Sequence, residues 1–151
     1  MKRQTIVRVL AGVLFLCSTL FLTQCKTSRY QVKGIVDKVW TFSQTHPEGF
    51  TIDLRTMTEP VEGICVAYAA TQNSHSRDQL PYVVSHALSH NSYVGGWLNT
   101  ADSLYYFDSD RIFPEDSLAA ALRFAKVNGQ ISVFVLSTYT EILVDSTMKH
   151  R

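Results

Sequence analysis

Apolar and polar positions repeat with two different periods along this chain, and the switches between them mark its elements. From Gln31 to about Gln44 apolar residues fall at Val32, Ile35, Val36, Val39, Trp40 and Phe42. That is helical spacing along one stripe, with Gly34 as a soft spot. His46-Pro47-Glu48-Gly49 ends the helix, because the residue before a proline avoids the α region and glycine allows positive φ. Phe50, Ile52 and Leu54 then alternate with Thr51, Asp53 and Arg55, which predicts a half-buried strand. Beyond a loop holding Pro60 and Gly63, Ile64 to Ala69 predicts a second strand. Its Ile64, Val66 and Tyr68 share one face, and Cys65, Ala67 and Ala69 the other.

The polar run Thr71 to Arg77 predicts a loop. Asp78 suits a helix N-cap and Pro81 the first turn, with Leu80, Val83, Val84, Ala87 and Leu88 along one side of a helix ending near His90-Asn91. Tyr93 to Leu98 and Leu104 to Phe107 predict a hairpin around residues 99–103. Gly95 and Gly96 inside its first arm mark a bulge or a close approach. Pro114 opens a third helix, with Glu115 and Asp116 early, Arg123 and Lys126 late, and Asn128-Gly129 as the stop. Ile131 to Leu136 is apolar on both faces, which predicts a central strand, and Glu141 to Val144 an edge strand. The order α-ββ-α-ββ-α-ββ predicts a single α+β domain: a mostly antiparallel sheet of about six strands with three helices.

The first 24 residues follow a different logic. Lys2, Arg3 and Arg8 are followed by Val9 to Leu22, apolar apart from Gly12, Ser18 and Thr19. The run is shorter than the ~20 residues of a comfortable membrane span and predicts a secretory signal peptide. Leu22-Thr23-Gln24-Cys25 resembles the lipobox of bacterial lipoproteins, in which an aliphatic residue stands three positions before the lipidated cysteine. Gln24 departs from the small residue usual there, a looseness seen in Bacteroidota lipoproteins. The resemblance implies residues 1–24 as a lipoprotein signal peptide, a lipid on Cys25, a tether over 25–30 and the α+β domain over 31–151. Two or three acyl chains hold a protein stably on a bilayer. Lys26, where an aspartate would retain a lipoprotein at the inner membrane, implies the outer membrane, and the absence of acids over 26–29 implies a periplasm-facing anchor.

Length and composition narrow the function. At 151 residues and 17.0 kDa there is room for one domain, and 46% hydrophobic residues exclude a disordered chain. The formal charge of +1 hides an asymmetry: residues 25–151 hold 11 basic and 13 acidic side chains, a net −2. No basic footprint for nucleic acid exists. Cys17 leaves with the signal and Cys25 takes the lipid, so Cys65 has no disulfide partner within the mature domain.

Four constellations are candidates for chemistry. His86 and His90 stand four apart, on one helix flank, and could face a cleft with Asp108 and Asp110. The glutamate of a zinc-protease helix is missing, so no metal ligand set and no cofactor is expected. Cys65 alternates with alanines and reads as a buried, inert thiol. The loop Thr71, Gln72, Asn73, Ser74, His75 puts five consecutive hydrogen-bonding side chains between a strand end and a helix start, a position suited to a ligand or to turns and caps. Tyr93, Trp97, Tyr105, Tyr106 and Phe107 crowd the hairpin, one face for the core and the other free for a partner.

The segments GFTIDL (49–54), GICVAYAATQNS (63–74), VSHALSH (84–90), VGGW (94–97) and YYFDSDRIF (105–113), with a helix running to AKVNGQ, resemble a small uncharacterised domain of Bacteroidota lipoproteins and of phage and mobile-element proteins. The resemblance spans about residues 47–144 and implies no activity. With no catalytic motif complete, the expectation is a lipid-anchored cell-envelope binding or interaction module rather than an enzyme. It would meet the membrane through Cys25 and a protein or small-molecule ligand through Gln72, Asn73, Ser74, His75, His86, His90 and Asp108. The alternatives are an envelope hydrolase or metal-dependent enzyme built on His86, His90 and Asp108, and an immunity-type lipoprotein.

Overall fold

The computed structural model describes residues 31–144; the signal peptide, the lipidated Cys25 and the tether expected from the sequence lie outside them. Residues 35–144 belong to one compact unit. Its elements follow the predicted order: α1 (residues 31–45), β1 (Gly49–Asp53), β2 (Ile64–Ala67), α2 (Leu80–Ser89), β3 (Tyr93–Asn99), β4 (Leu104–Phe113), α3 (Leu118–Val127), β5 (Ser132–Val135) and β6 (Thr140–Leu143). The six strands form one sheet in the order β1-β3-β4-β2-β5-β6, antiparallel throughout. Among the described residues no helix is long and apolar enough to cross a membrane.

The connections explain this order. β3–β4 and β5–β6 are hairpins, whereas α2 carries the chain from β2 over β4 to β3, and α3 carries it from β4 over β2 to β5. The segment β2-α2-β3-β4-α3-β5 therefore has the interleaved connectivity of a ferredoxin-like split β-α-β unit, with β1 added at one edge and β6 at the other.

All three helices pack on one sheet face. Trp40 and Phe42 of α1 meet Phe107 and Phe50, with ring centroids 6.1 and 5.3 Å apart. Leu80, Val83, Val84 and Ala87 of α2 are buried. Ala121, Leu122 and Ala125 of α3 join Ile64, Val66, Phe113 and Val133 in one cluster. Side chains alternate along a strand, so the registers put Thr51, Cys65, Ala67, Gly95, Trp97, Tyr106, Asp108, Asp110 and Phe134 on the opposite face.

Several details differ from the sequence reading. β4 does not stop at Phe107 but continues to Phe113, because Phe107 and Ser109 face the helices while Asp108 and Asp110 point the other way. Leu88 is 40% exposed rather than core, because α2 buries only the stripe from Leu80 to Ala87. Gln79, not Asp78, stands at the α2 N-cap, and a short 3₁₀ turn at Glu115–Ser117 precedes α3. β5 is interior, as expected, yet its Phe134 side stays open while Val133 is buried. β6 is the expected edge. Gly95 and Gly96 make no bulge, since β3 keeps unbroken register with both neighbours. They admit side chains instead: a Cβ at Gly96 would lie 2.5 Å from the Phe50 ring.

Candidate functional site

The polar loop after β2 completes the sheet. β2 ends at Ala67 while β4 runs on, leaving backbone groups on the β4 edge to be satisfied. Tyr68 N–H donates to the Ser109 carbonyl at 2.9 Å, Ser109 N–H to Thr71 Oγ1 at 2.8 Å, and Phe107 N–H to the Ser74 carbonyl at 2.8 Å. Thr71 and Ser74 are buried, and Ser74 Oγ donates to the Thr71 carbonyl. Asn73 takes the left-handed turn position, with φ 64°. Gln79 Oε1 accepts from the His75 and Ser76 N–H groups, and Gln72 Nε2 donates to the Asn128 carbonyl. The turn-and-cap function suggested by sequence accounts for most of this loop's polar groups.

The remaining candidates divide between the two sheet faces. On the helix side, His86 Nδ1 pairs with Ser109 Oγ at 2.9 Å, and His90 Nδ1–H donates to the His86 carbonyl at 2.7 Å. The rings stack at 3.9 Å, and Tyr68 lies against both. Burial, with His90 adding to it, lowers the proton affinity of His86. Ser109 is fully buried, so its pairing with His86 presents no accessible nucleophile. Asp108 belongs to the opposite face, and His86, His90 and Asp108 do not converge.

On the face that none of the described helices covers, hereafter the helix-free face, Asp108 and Asp110 sit side by side two positions apart, 8% and 4% exposed. The residues around them are small: Gly95 pairs with Asp108, Ala67 pairs with Asp110, and Cys65 neighbours Ala67 across one residue. A Cβ at Gly95 would collide with Asp110 Oδ2. Trp97 Nε1–H donates to Asp108 Oδ2 at 3.4 Å, and the indole stacks on Tyr106 at 5.0 Å and 21°. Tyr106 in turn donates to Asp102 at 2.6 Å and receives the His75 ring edge-on at 4.1 Å. His75 Nδ1 is buried without a hydrogen-bond partner among the described residues.

Electrostatics set this face apart. Desolvation pushes Asp108 up to about 6, against the weaker opposing pull of the Trp97 hydrogen bond. Desolvation, and then Asp108 itself, holds Asp110 well above the carboxylate range. Burial and the neighbouring Asp110 push the Cys65 thiol up too, so it stays protonated and unreactive as expected from sequence. Thr51 Oγ1 lies 3.6 Å from its sulfur. The two ion pairs among the described residues, Arg55–Asp53 and Arg77–Asp37, involve neither buried acid. Among the described residues no group of three or more potential ligands could hold a metal ion.

The sequence reading puts Asp108 and Asp110 together in a cleft with the histidines, whereas the fold turns both acids to the opposite, aromatic face. The signal was available in the alternation Tyr106, Asp108, Asp110, which a continuous strand puts on one side. No family model matches this chain, and comparison with curated proteins and with solved structures finds no match either.

Proposed function

We propose that this chain is a lipid-anchored binding module of the cell envelope, held through Cys25 at the outer membrane and facing the periplasm, whose helix-free sheet face receives cationic groups of a partner. Anchoring is supported by the basic start, the short apolar run and Leu22 three positions before Cys25. Binding is supported by one observation above others: two buried carboxylates lie side by side with no basic partner among the described residues. Removing carboxylates from water is costly unless a charge or hydrogen bonds compensate. A partner's ammonium or guanidinium supplies that compensation, and the stacked Trp97 and Tyr106 offer aromatic surface beside the acids. A binding module also accords with the high Cys65 thiol and the buried Ser109, neither of which provides a nucleophile.

Two experiments test the parts separately. Labelling with an alkyne fatty acid marks the wild type and not Cys25→Ala; equal labelling of both overturns the anchor. For the face, tetralysine is titrated into the mature protein in detergent, with tetraglutamate as control, while amide and indole signals are followed by NMR. Shifts centred on the Trp97 indole and the 106–110 amides with tetralysine alone are expected. Absence of shifts, or shifts centred elsewhere, overturns the binding face.

A further inference from the structure

We propose that the cation received at Asp108 is the ammonium of a lysine side chain on a partner protein, and that the site discriminates against arginine, an assignment that rests on the cation-binding face above. The discrimination comes from how many carboxylate oxygens are left to be met. Asp108 Oδ2 already accepts from Trp97 Nε1–H at 3.4 Å, and the indole stands on the approach to that oxygen. Oδ1 has no hydrogen-bond partner among the described residues. It still keeps contact with solvent, because His75 Nδ1 is the one fully enclosed polar side-chain atom that lacks a partner among those residues.

Asp110 does not supply a second oxygen. Burial, and then the Asp108 charge, keep its carboxyl protonated, and the Cys65 thiol hydrogen-bonds to it. Its Oδ2 is lodged over Gly95. One oxygen of one carboxylate is therefore open. A guanidinium gains over an ammonium by making two parallel bonds from a rigid, planar fork to both oxygens of one carboxylate. Here it makes one, and its other donors enter a desolvated slot unpaired. An ammonium is a compact point charge with rotatable donors, so one oxygen suffices and its other N–H groups turn to water.

The surroundings favour a slender chain with one charge. Gly95, Ala67 and Cys65 are small, and Trp97 stands beside them 43% exposed. The methylenes of a lysine lie along the indole while the head reaches Asp108. Tyr106 is less available to stack a guanidinium plane, being engaged by Trp97 at 5.0 Å and by the His75 ring at 4.1 Å. A free polyamine would bring further charges that the hairpin does not match. Its remaining acid, Asp102, already accepts from Tyr106, Asn99 and the Leu104 N–H.

The test is NMR titration of tetralysine, tetraarginine and spermidine into the mature protein in detergent at pH 7, followed at the Trp97 indole and the 106–110 amides. One charge-assisted bond is worth about tenfold, so tetralysine is expected to bind about tenfold more tightly than tetraarginine, and more tightly than spermidine. Trp97→Phe keeps a ring but frees Asp108 Oδ2, and should narrow the preference for lysine over arginine to within about twofold. Tetraarginine binding at least as tightly as tetralysine overturns the proposal and leaves cation binding in place. Spermidine binding as tightly as tetralysine overturns the assignment to a protein lysine, and an undiminished preference in Trp97→Phe overturns its stated cause. Absence of binding by all three overturns the cation-binding face itself, and this proposal with it.

Discussion

The Asp110 carboxylate lies over Gly95, in the space a side chain at that position would occupy. Gly95 is thus explained by the acid on the neighbouring strand rather than by backbone conformation, since its φ is not among the positive values. Gly95→Ala forces the carboxylate aside and is expected to destabilise the domain by about 1–3 kcal/mol. Asp110→Ala removes the obstacle. Denaturant unfolding of both single variants and the double variant gives a coupling of at least about 0.5 kcal/mol in the restoring direction; strict additivity contradicts the packing.

Asp108 predicts a pH dependence of unusual sign. Its carboxyl is raised from 3.8 to about 6 in the folded protein, so between those values the folded state holds a proton that the unfolded state releases. Its stabilising contribution is complete below about 3.8 and is lost as pH rises through 6, on the order of 3 kcal/mol in all. His86, lowered from 6.5, acts oppositely: its contribution is present above 6.5 and fades as pH falls below. Comparison with Asp108→Asn isolates the acid. The variant's advantage over wild type in urea unfolding should be small at pH 4 and grow toward pH 7; a constant or shrinking difference contradicts the assignment.

The loop after β2 should behave as structure at Thr71 and as surface at Asn73. Thr71→Val strands the buried Ser109 N–H and is expected to cost about 1–3 kcal/mol. Asn73→Gly keeps the left-handed turn and should change stability by no more than about 0.5 kcal/mol. Thermal melts of the two variants check the contrast, and an unchanged Thr71→Val melt removes the loop from the sheet's hydrogen bonding.

Element order was legible in the sequence because each element carries its own period and its own punctuation. The Phe50-Ile52-Leu54 alternation and the Pro81 and Asn128-Gly129 signals are local, and they needed no knowledge of neighbours. Strand order was not legible. That β2 lies between β4 and β5 depends on α2 and α3 packing on the same face, which no local period encodes. The candidate site failed where Asp-Ser-Asp read as the end of a strand, aspartate being poor in strands. In the fold those residues are strand interior, and the alternation sends His86's partner Ser109 one way and both acids the other. The loop 71–75 stands out in the sequence as a run of hydrogen-bonding side chains, but much of its polarity is spent on the unpaired edge of β4.

The account rests on the acid pair being kept for a ligand at the expense of stability. The most direct measurement puts both quantities side by side: melting temperature and tetralysine affinity at pH 7 for wild type and for Asp108→Asn/Asp110→Asn. Replacing the two desolvated acids, of which Asp108 carries the charge at pH 7, by neutral amides of nearly the same shape should raise the melting temperature, while tetralysine binding weakens by at least about tenfold, since hydrogen bonds to a buried charge contribute about 1.5–3 kcal/mol each. A variant that melts lower and binds tetralysine as tightly as the wild type would make the pair a structural feature and contradict the account.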